Sequence, residues 1–181
     1  MKVKIKILDE KAVMPFKTHE GDFCYDCVAV SEEEIAPNVW KYGLGIALQI
    51  DRNPESPFCL ADSKDILDEG MPVERFWQLS IDARPRSSVW KTGMILSNCV
   101  GTIDEPYTGE ISAVFYHVMP NMPRYEIGDR VCQIKLGFTL PIEFSKVEEL
   151  SETERGDGAY GSTGNMYVSE INIRRHSEQI R

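Results

Sequence analysis

The sequence has 181 residues, with 20 Lys and Arg against 29 Asp and Glu, a net charge of −9, and 42% hydrophobic residues. Those proportions describe one globular domain, or one domain with an arm, built on a single core. They argue against sequence-independent binding of nucleic acid or of an anionic membrane, which rests on clustered positive charge.

The opening MKVKIKILDEK alternates Lys2, Lys4 and Lys6 with Val3, Ile5 and Ile7. This is a strand signal, and it lacks the apolar stretch of a secretory leader. No apolar run approaches the roughly 20 residues that span a bilayer. Cys24 and Cys27 have the spacing of a redox or zinc pair, but no second pair follows and His19, His117 and His176 are scattered. Buried strand thiols are the expected reading, and an odd, sparse set of five cysteines fits reduced thiols in a cytoplasmic protein.

Leu44, Ile46, Leu48 and Ile50 alternate with Gly45, Ala47 and Gln49. Residues 51–74 are polar and carry Pro54, Pro57 and Pro72, with a short helix capped by Asp62 or Ser63; they read as a surface insertion. Ile111, Ala113 and Phe115 share one strand face, and Cys132, Ile134 and Leu136 another. After Leu150, Gly156, Gly158, Gly161 and Gly164 fall close together, a composition that fits a mobile arm. Many short strands without βα alternation predict an all-β barrel or jelly roll.

Three segments could carry chemistry. In the arm, Arg155, Tyr160, Gly161, Ser162 and Thr163 combine a guanidinium, open backbone N–H groups, hydroxyls and one aromatic. Phosphate oxygens and a base would use that set; a plain glycine-rich tail is the alternative. Arg84-Pro85-Arg86-Ser87-Ser88 precedes a short helix, whose serines either cap it or help to hold an anion. Residues 98–110 read as a hairpin in which Asp104 is either a general base toward water or a turn cap.

Taken in order, these segments resemble the five motifs of the trimeric deoxyuridine triphosphatase (dUTP pyrophosphatase, dUTPase) family. The matches are Gly21 to Val30 with Tyr25-Asp26, PRSS at 85–88, GTIDEPYTGEI at 101–111, GDRVCQIKL at 128–136 and RGDGAYGSTG at 155–164. The resemblance implies a β-clip-type jelly roll over 1–150 and a C-terminal arm over 151–181. It further implies a homotrimer whose active sites draw on several subunits, with the arm closing over a neighbour's site.

The resemblance also implies roles. Asp104 would orient and deprotonate the water that attacks the α-phosphorus of dUTP, giving dUMP and pyrophosphate. Tyr107 would pack on deoxyribose and leave no room for a 2′-hydroxyl, while Asn98, Gly101, Thr102 and Ile103 would meet uracil. Arg86, Ser87, Ser88 and Gln133 would bind phosphates. Arg155 would clamp the γ-phosphate, Tyr160 would cover the base, and Gly161, Ser162 and Thr163 would supply further contacts. Asp26 would hold Mg²⁺ through water, a role that suits a cation reluctant to lose its waters.

Several positions depart from the family pattern. Ser88 stands where glycine is usual, and Glu105-Pro106 and Thr108 replace the more usual Ser-Asp and Arg or Gln. Asp157 stands where Thr is common, and Ala159 and Tyr160 replace Gly and Phe. A deoxycytidine triphosphate deaminase of the same fold needs a proton-shuttling Glu where this chain has Val114. A non-catalytic nucleotide-sensing trimer is the other alternative, and the intact Asp104, Tyr107 and Arg155 argue against it.

Overall fold

The computed structural model describes residues 2–51, 78–140 and 142–158. The chain divides after Ile142 into two compact units. Nine strands are described, all in the first unit: β1 (Lys2–Ile7), β2 (Tyr25–Val28), β3 (Ser31–Ala36), β4 (Val39–Asp51), β5 (Gln78–Pro85), β6 (Met94–Leu96), β7 (Gly101–Asp104), β8 (Glu110–His117) and β9 (Arg130–Thr139). They form a five-stranded sheet, β1-β4-β8-β6 with β3 beside β4, and a four-stranded sheet, β2-β9-β5-β7. All pairings are antiparallel. This is the expected jelly roll.

Both sheets contribute to one core. Leu44, Ile46, Leu48 and Ile50 of β4 and Ile111, Ala113 and Phe115 of β8 come from the first sheet; Cys27, Ile81, Ala83, Val131, Cys132 and Ile134 come from the second. Alternation places the inward positions where period 2 requires, and polar residues on the same strands face out. The pattern was less faithful for β1, where Val3 and Ile7 stay exposed and Ile5 alone packs against the core. Leu136 is likewise exposed, past the point where β9 is covered.

At the centre, Tyr42, Phe115 and Tyr125 meet edge to face, with ring centroids 5.3–6.1 Å apart. The Tyr42 hydroxyl donates to the Tyr125 carbonyl at 2.8 Å. Burial pushes the Tyr42 and Tyr125 hydroxyl pKa values up, so both stay protonated. Next to this cluster Arg124 stacks on Trp40 at 3.8 Å and forms a bidentate pair with Glu32 on β3.

β4 is not a plain ladder. Its register against β8 runs from Gly43↔Ser112 to Ala47↔Glu110, so three residues of β4 oppose one of β8. Gly45 sits in this bulge at φ 65°, a conformation that favours glycine. Its N–H, lost to the ladder, donates to Glu110 Oε1 at 2.9 Å.

Residues 98–110 do not form a hairpin. β7 pairs with β5 in one sheet, while β8 pairs with β4 and β6 in the other, so the intervening turn crosses between sheets. Turn residues between two strands suggest a hairpin locally, but partners far along the chain decide the pairing. The insertion reaches only Asp51 within the described residues, where β4 ends; the helix expected near Asp62 and Ser63 lies outside them.

Cys27 and Cys132 lie directly opposite one another on β2 and β9, both buried and both free thiols. A hydrogen bond with Cys132, reinforced by burial, pushes the Cys27 thiol far above its ordinary pKa. Only a thiolate attacks an alkylating reagent. Cys27 should therefore resist iodoacetamide in the folded protein at about pH 8, burial should shield Cys132 from the same reagent, and both should react once denaturant is added. Peptide mass mapping reads the outcome, and native-state labelling of either would contradict the packing.

Candidate active site

The site builds outward from Asp26. Register places Asp26 on β2 opposite Gln133 on β9, which in turn lies opposite Arg84 on β5. All three point away from the core, because Cys27, Ile134 and Ala83 next to them point in. Where β5 ends, Pro85 turns the chain into a short 3-10 helix, Ser87–Lys91, entered through an extended Arg86 at φ −75° and ψ 154°. That geometry brings the Arg86 side chain back over β2.

Arg86 Nε donates to Asp26 Oδ1 at 2.9 Å, and Arg130 Nη1 donates to Asp26 Oδ2 at 3.0 Å. Arg130 Nη1 also reaches Thr18 Oγ1 at 3.0 Å. Asp26 retains only 13% side-chain exposure, so the carboxylate is neutralised by guanidinium groups more than by water. On the other side Arg86 Nη1 donates to Ser88 Oγ at 3.2 Å. The residue that departs from the family's glycine therefore orients the arginine. No side-chain hydroxyl caps the short helix, which leaves Ser87 available for an anion. Gln133 Nε2 donates to the Pro85 carbonyl at 3.2 Å and ties β9 to the same turn.

Asp26, Arg86, Ser87 and Gln133 line one cavity of about 500 Å³. Its far wall is the turn at His19 to Asp22, held by the His19 N–H on Asp22 Oδ2 at 2.9 Å and the Asp22 N–H on the His19 carbonyl at 3.0 Å. Arginine donors, a hydroxyl and a carboxamide around one opening form a site for a polyphosphate. Among the described residues no group of three or more His, Cys, Asp or Glu could cage a metal. Asp26 has both oxygens committed to arginines, but each carboxylate oxygen accepts more than one bond. The residues present thus fit a cation that arrives on phosphates and meets Asp26 through water.

The second group of expected residues lies elsewhere. Gly101, Thr102, Ile103 and Asp104 form β7, with Asp104 opposite Ser80 and Gly101 opposite Ala83. Gly101 is buried where a side chain would press within 3.1 Å of Asn98 Nδ2, so Asn98 packs against the start of β7. Ile103 faces the core, while Thr102 and Asp104 are exposed. The Tyr107 N–H closes a turn on the Asp104 carbonyl at 3.0 Å. Its hydroxyl donates to the Glu110 carbonyl at 3.0 Å. A side chain at Gly109 would fall 2.5 Å from the Tyr107 hydroxyl oxygen, which explains the glycine there.

Within one chain these two groups do not meet. β2 and β7 are the opposite edges of the sheet β2-β9-β5-β7. The row Asp26–Gln133–Arg84 and the row Gly137–Ser80–Asp104 are four residues apart along β5 and β9. Three strand spacings of about 4.8 Å and four rises of about 3.3 Å separate Asp26 from Asp104 by roughly 20 Å. Between them the sheet face carries a self-contained polar group, in which Asp82 accepts from Lys135 at 3.3 Å, Arg84 at 3.5 Å and Ser80 at 3.2 Å.

In the second unit, Arg155 Nε donates to the Gly158 carbonyl at 3.0 Å across a turn that contains Gly156 at φ 53°. Tyr160, Gly161, Ser162 and Thr163 lie outside the described residues. Sequence reasoning assigned no role to Arg130, Thr18 or Glu110. Arg130 stands inside a quoted motif, but its partner Asp26 is 104 positions away, and only strand pairing reveals it.

Comparisons with known proteins place the sequence and the fold in one family. The family model described as dUTPase matches residues 78–164. A deoxyuridine 5′-triphosphate nucleotidohydrolase of Clostridium novyi is 31% identical over 166 residues, 91% of this chain and 99% of that protein. The protein of the same description from Corynebacterium glutamicum is 32% identical over 165 residues, 90% and 94% of the two chains. Among solved structures, a mutant dUTPase of Staphylococcus bacteriophage 80alpha with dUpNHpp superposes with a TM-score of 0.66 at 21% identity, covering 91% of this chain and 99% of that one. A mutant dUTPase of phage phi11 of S. aureus, described with a structural Mg(II) ion, gives 0.57 at 18% identity over 84% and 100%. With a sequence relative above 30% identity across nearly its whole length, and the same fold, this chain belongs to the dUTPase family.

Proposed function

We propose that the protein hydrolyses dUTP to dUMP and pyrophosphate by attack of water on the α-phosphorus. The observation that carries this reading is the meeting of Asp26, Arg86, Ser87 and Gln133, from three separate segments, around one cavity. Arg86 and Ser87 bind the triphosphate there, with Gln133 as a further phosphate contact and Ser88 setting the guanidinium plane of Arg86. Asp26 would hold Mg²⁺ through water, and the ion, when bound, would supply charge neutralisation on the phosphates. Asp104 holds the attacking water and takes its proton. The slot at Asn98, Gly101, Thr102 and Ile103 reads uracil through backbone groups, and the Tyr107 ring refuses a 2′-hydroxyl by shape. Phosphoryl transfer asks the protein for alignment and charge stabilisation more than for covalent chemistry, and these groups supply both.

The roughly 20 Å between Asp26 and Asp104 in one chain supports a trimer in which one copy offers the phosphate cavity and another the uracil slot. The arm from residue 151 onward completes the site of a neighbour, with Arg155 on the γ-phosphate, Tyr160 over the base, and Gly161, Ser162 and Thr163 on phosphate oxygens.

With Mg²⁺ present, pyrophosphate release from dUTP is expected to exceed that from dCTP, dTTP or UTP by at least about a hundredfold in kcat/KM. Ammonia from dCTP would favour a deaminase, and binding without turnover a sensor. Asp104→Asn and Arg86→Ala should each cost about 10²–10³ in kcat. Refolded together, the two inactive variants should regain part of the wild-type activity, because some mixed trimers hold an intact Arg86 facing an intact Asp104. No recovery would place both groups in one subunit's site. Truncation before Arg155 should keep the assembly, read by light scattering, and lower kcat/KM by about a hundredfold. Full activity of the truncated chain would remove the arm from the reaction.

A further inference from the structure

Glu110, the first residue of β8, has no substrate role in the reading above, yet two hydrogen bonds, from donors far apart in the chain, converge on it. Its carboxylate Oε1 accepts the N–H of Gly45, 65 positions away, at 2.9 Å. The fit is close: a side chain at Gly43 would lie 2.6 Å from the same oxygen. Its backbone carbonyl accepts the Tyr107 hydroxyl at 3.0 Å, and Tyr107 in turn closes the turn on Asp104. One end of Glu110 is thus tied to the bulge in the core sheet, and the other to the loop that bears Asp104 and Tyr107.

Loop residues hold position only as well as their anchors do. The loop 105–109 crosses between the two sheets and has no ladder of its own. At its β8 end the Glu110 carboxylate fixes where that strand begins. Remove the acceptor and the Gly45 N–H is left half-buried without its partner, so the start of β8 shifts to find another. The Tyr107 ring, hung from the Glu110 carbonyl, moves with it.

We propose that Glu110 is a positioning residue that seats the Tyr107 ring and so sets discrimination between deoxyribose and ribose. The inference rests on the dUTP reading above, in which Tyr107 packs on the sugar. A rigid wall excludes a 2′-hydroxyl, whereas a loosened ring yields to it. Losing the anchor therefore harms the preferred substrate more than the rejected one.

The test is kcat/KM for dUTP and for UTP in the full-length protein. Glu110→Ala should lower the dUTP-to-UTP ratio by about tenfold or more, whereas Glu110→Gln, which keeps an oxygen acceptor, should retain it. An equal fall for both substrates, with the ratio unchanged, would make Glu110 a stability residue and overturn the proposal. So would a ratio in Glu110→Gln as low as in Glu110→Ala. Should Glu110→Ala fail to fold, Tyr107→Phe carries the question, because it removes only the hydroxyl contact; it should lower the ratio, and an unchanged ratio overturns the proposal. Tyr107→Ala separates the two readings. A lowered ratio in that variant beside an unchanged one in Glu110→Ala sinks this inference alone. An unchanged ratio in Tyr107→Ala sinks the sugar-packing role on which it rests.

Discussion

β9 is the strand on which the site depends. It lies between β2 and β5 and pairs with both, so three segments far apart in sequence are brought into register on it. Cys132 and Ile134 bury their side chains on one face, which fixes the pleat and sends Gln133 outward beside Asp26; Val131 is buried where the register shifts. A slip of one residue would turn Gln133 into the core and a hydrophobic residue into the cavity. The apolar residues thus hold the polar ones in place, though none of them lines the cavity.

Given that register, the charges settle one another. An isolated carboxylate as covered as Asp26 would be costly, and two arginines make it tolerable. The same pairing keeps Arg86 from wandering on its long flexible stem, so less side-chain entropy remains to be lost when an anion arrives. Ser88 adds a second hold on that guanidinium where the family pattern would leave a bare glycine. Its hydroxyl, accepting from Arg86, still has a proton to give.

Much of this was legible in the sequence because it is local. Alternation gave β4, β8 and the first half of β9 their inward residues, and the ordered motifs gave Arg86, Ser87, Gln133, Asp26 and Asp104 as the residues to watch. What stayed hidden was every relation that spans the chain. No pattern around Asp26 announces Arg130, none at Gly45 announces Glu110, and nothing in residues 98–110 reveals that β7 and β8 belong to different sheets. The exposed Val3 and Ile7 make the converse point: periodicity locates a strand but does not say whether anything covers it.

β3 carries a further consequence. Among the described residues it pairs only with β4, and it bears Glu32, Glu33 and Glu34 in succession. Glu32 is satisfied by Arg124, while Glu33 and Glu34 face solvent. An unpaired strand edge invites a second strand to add to it, and acidic side chains along that edge set like charge against like when two copies approach. Runaway edge-to-edge polymerisation is thereby disfavoured, and any contact between copies is steered to other surfaces.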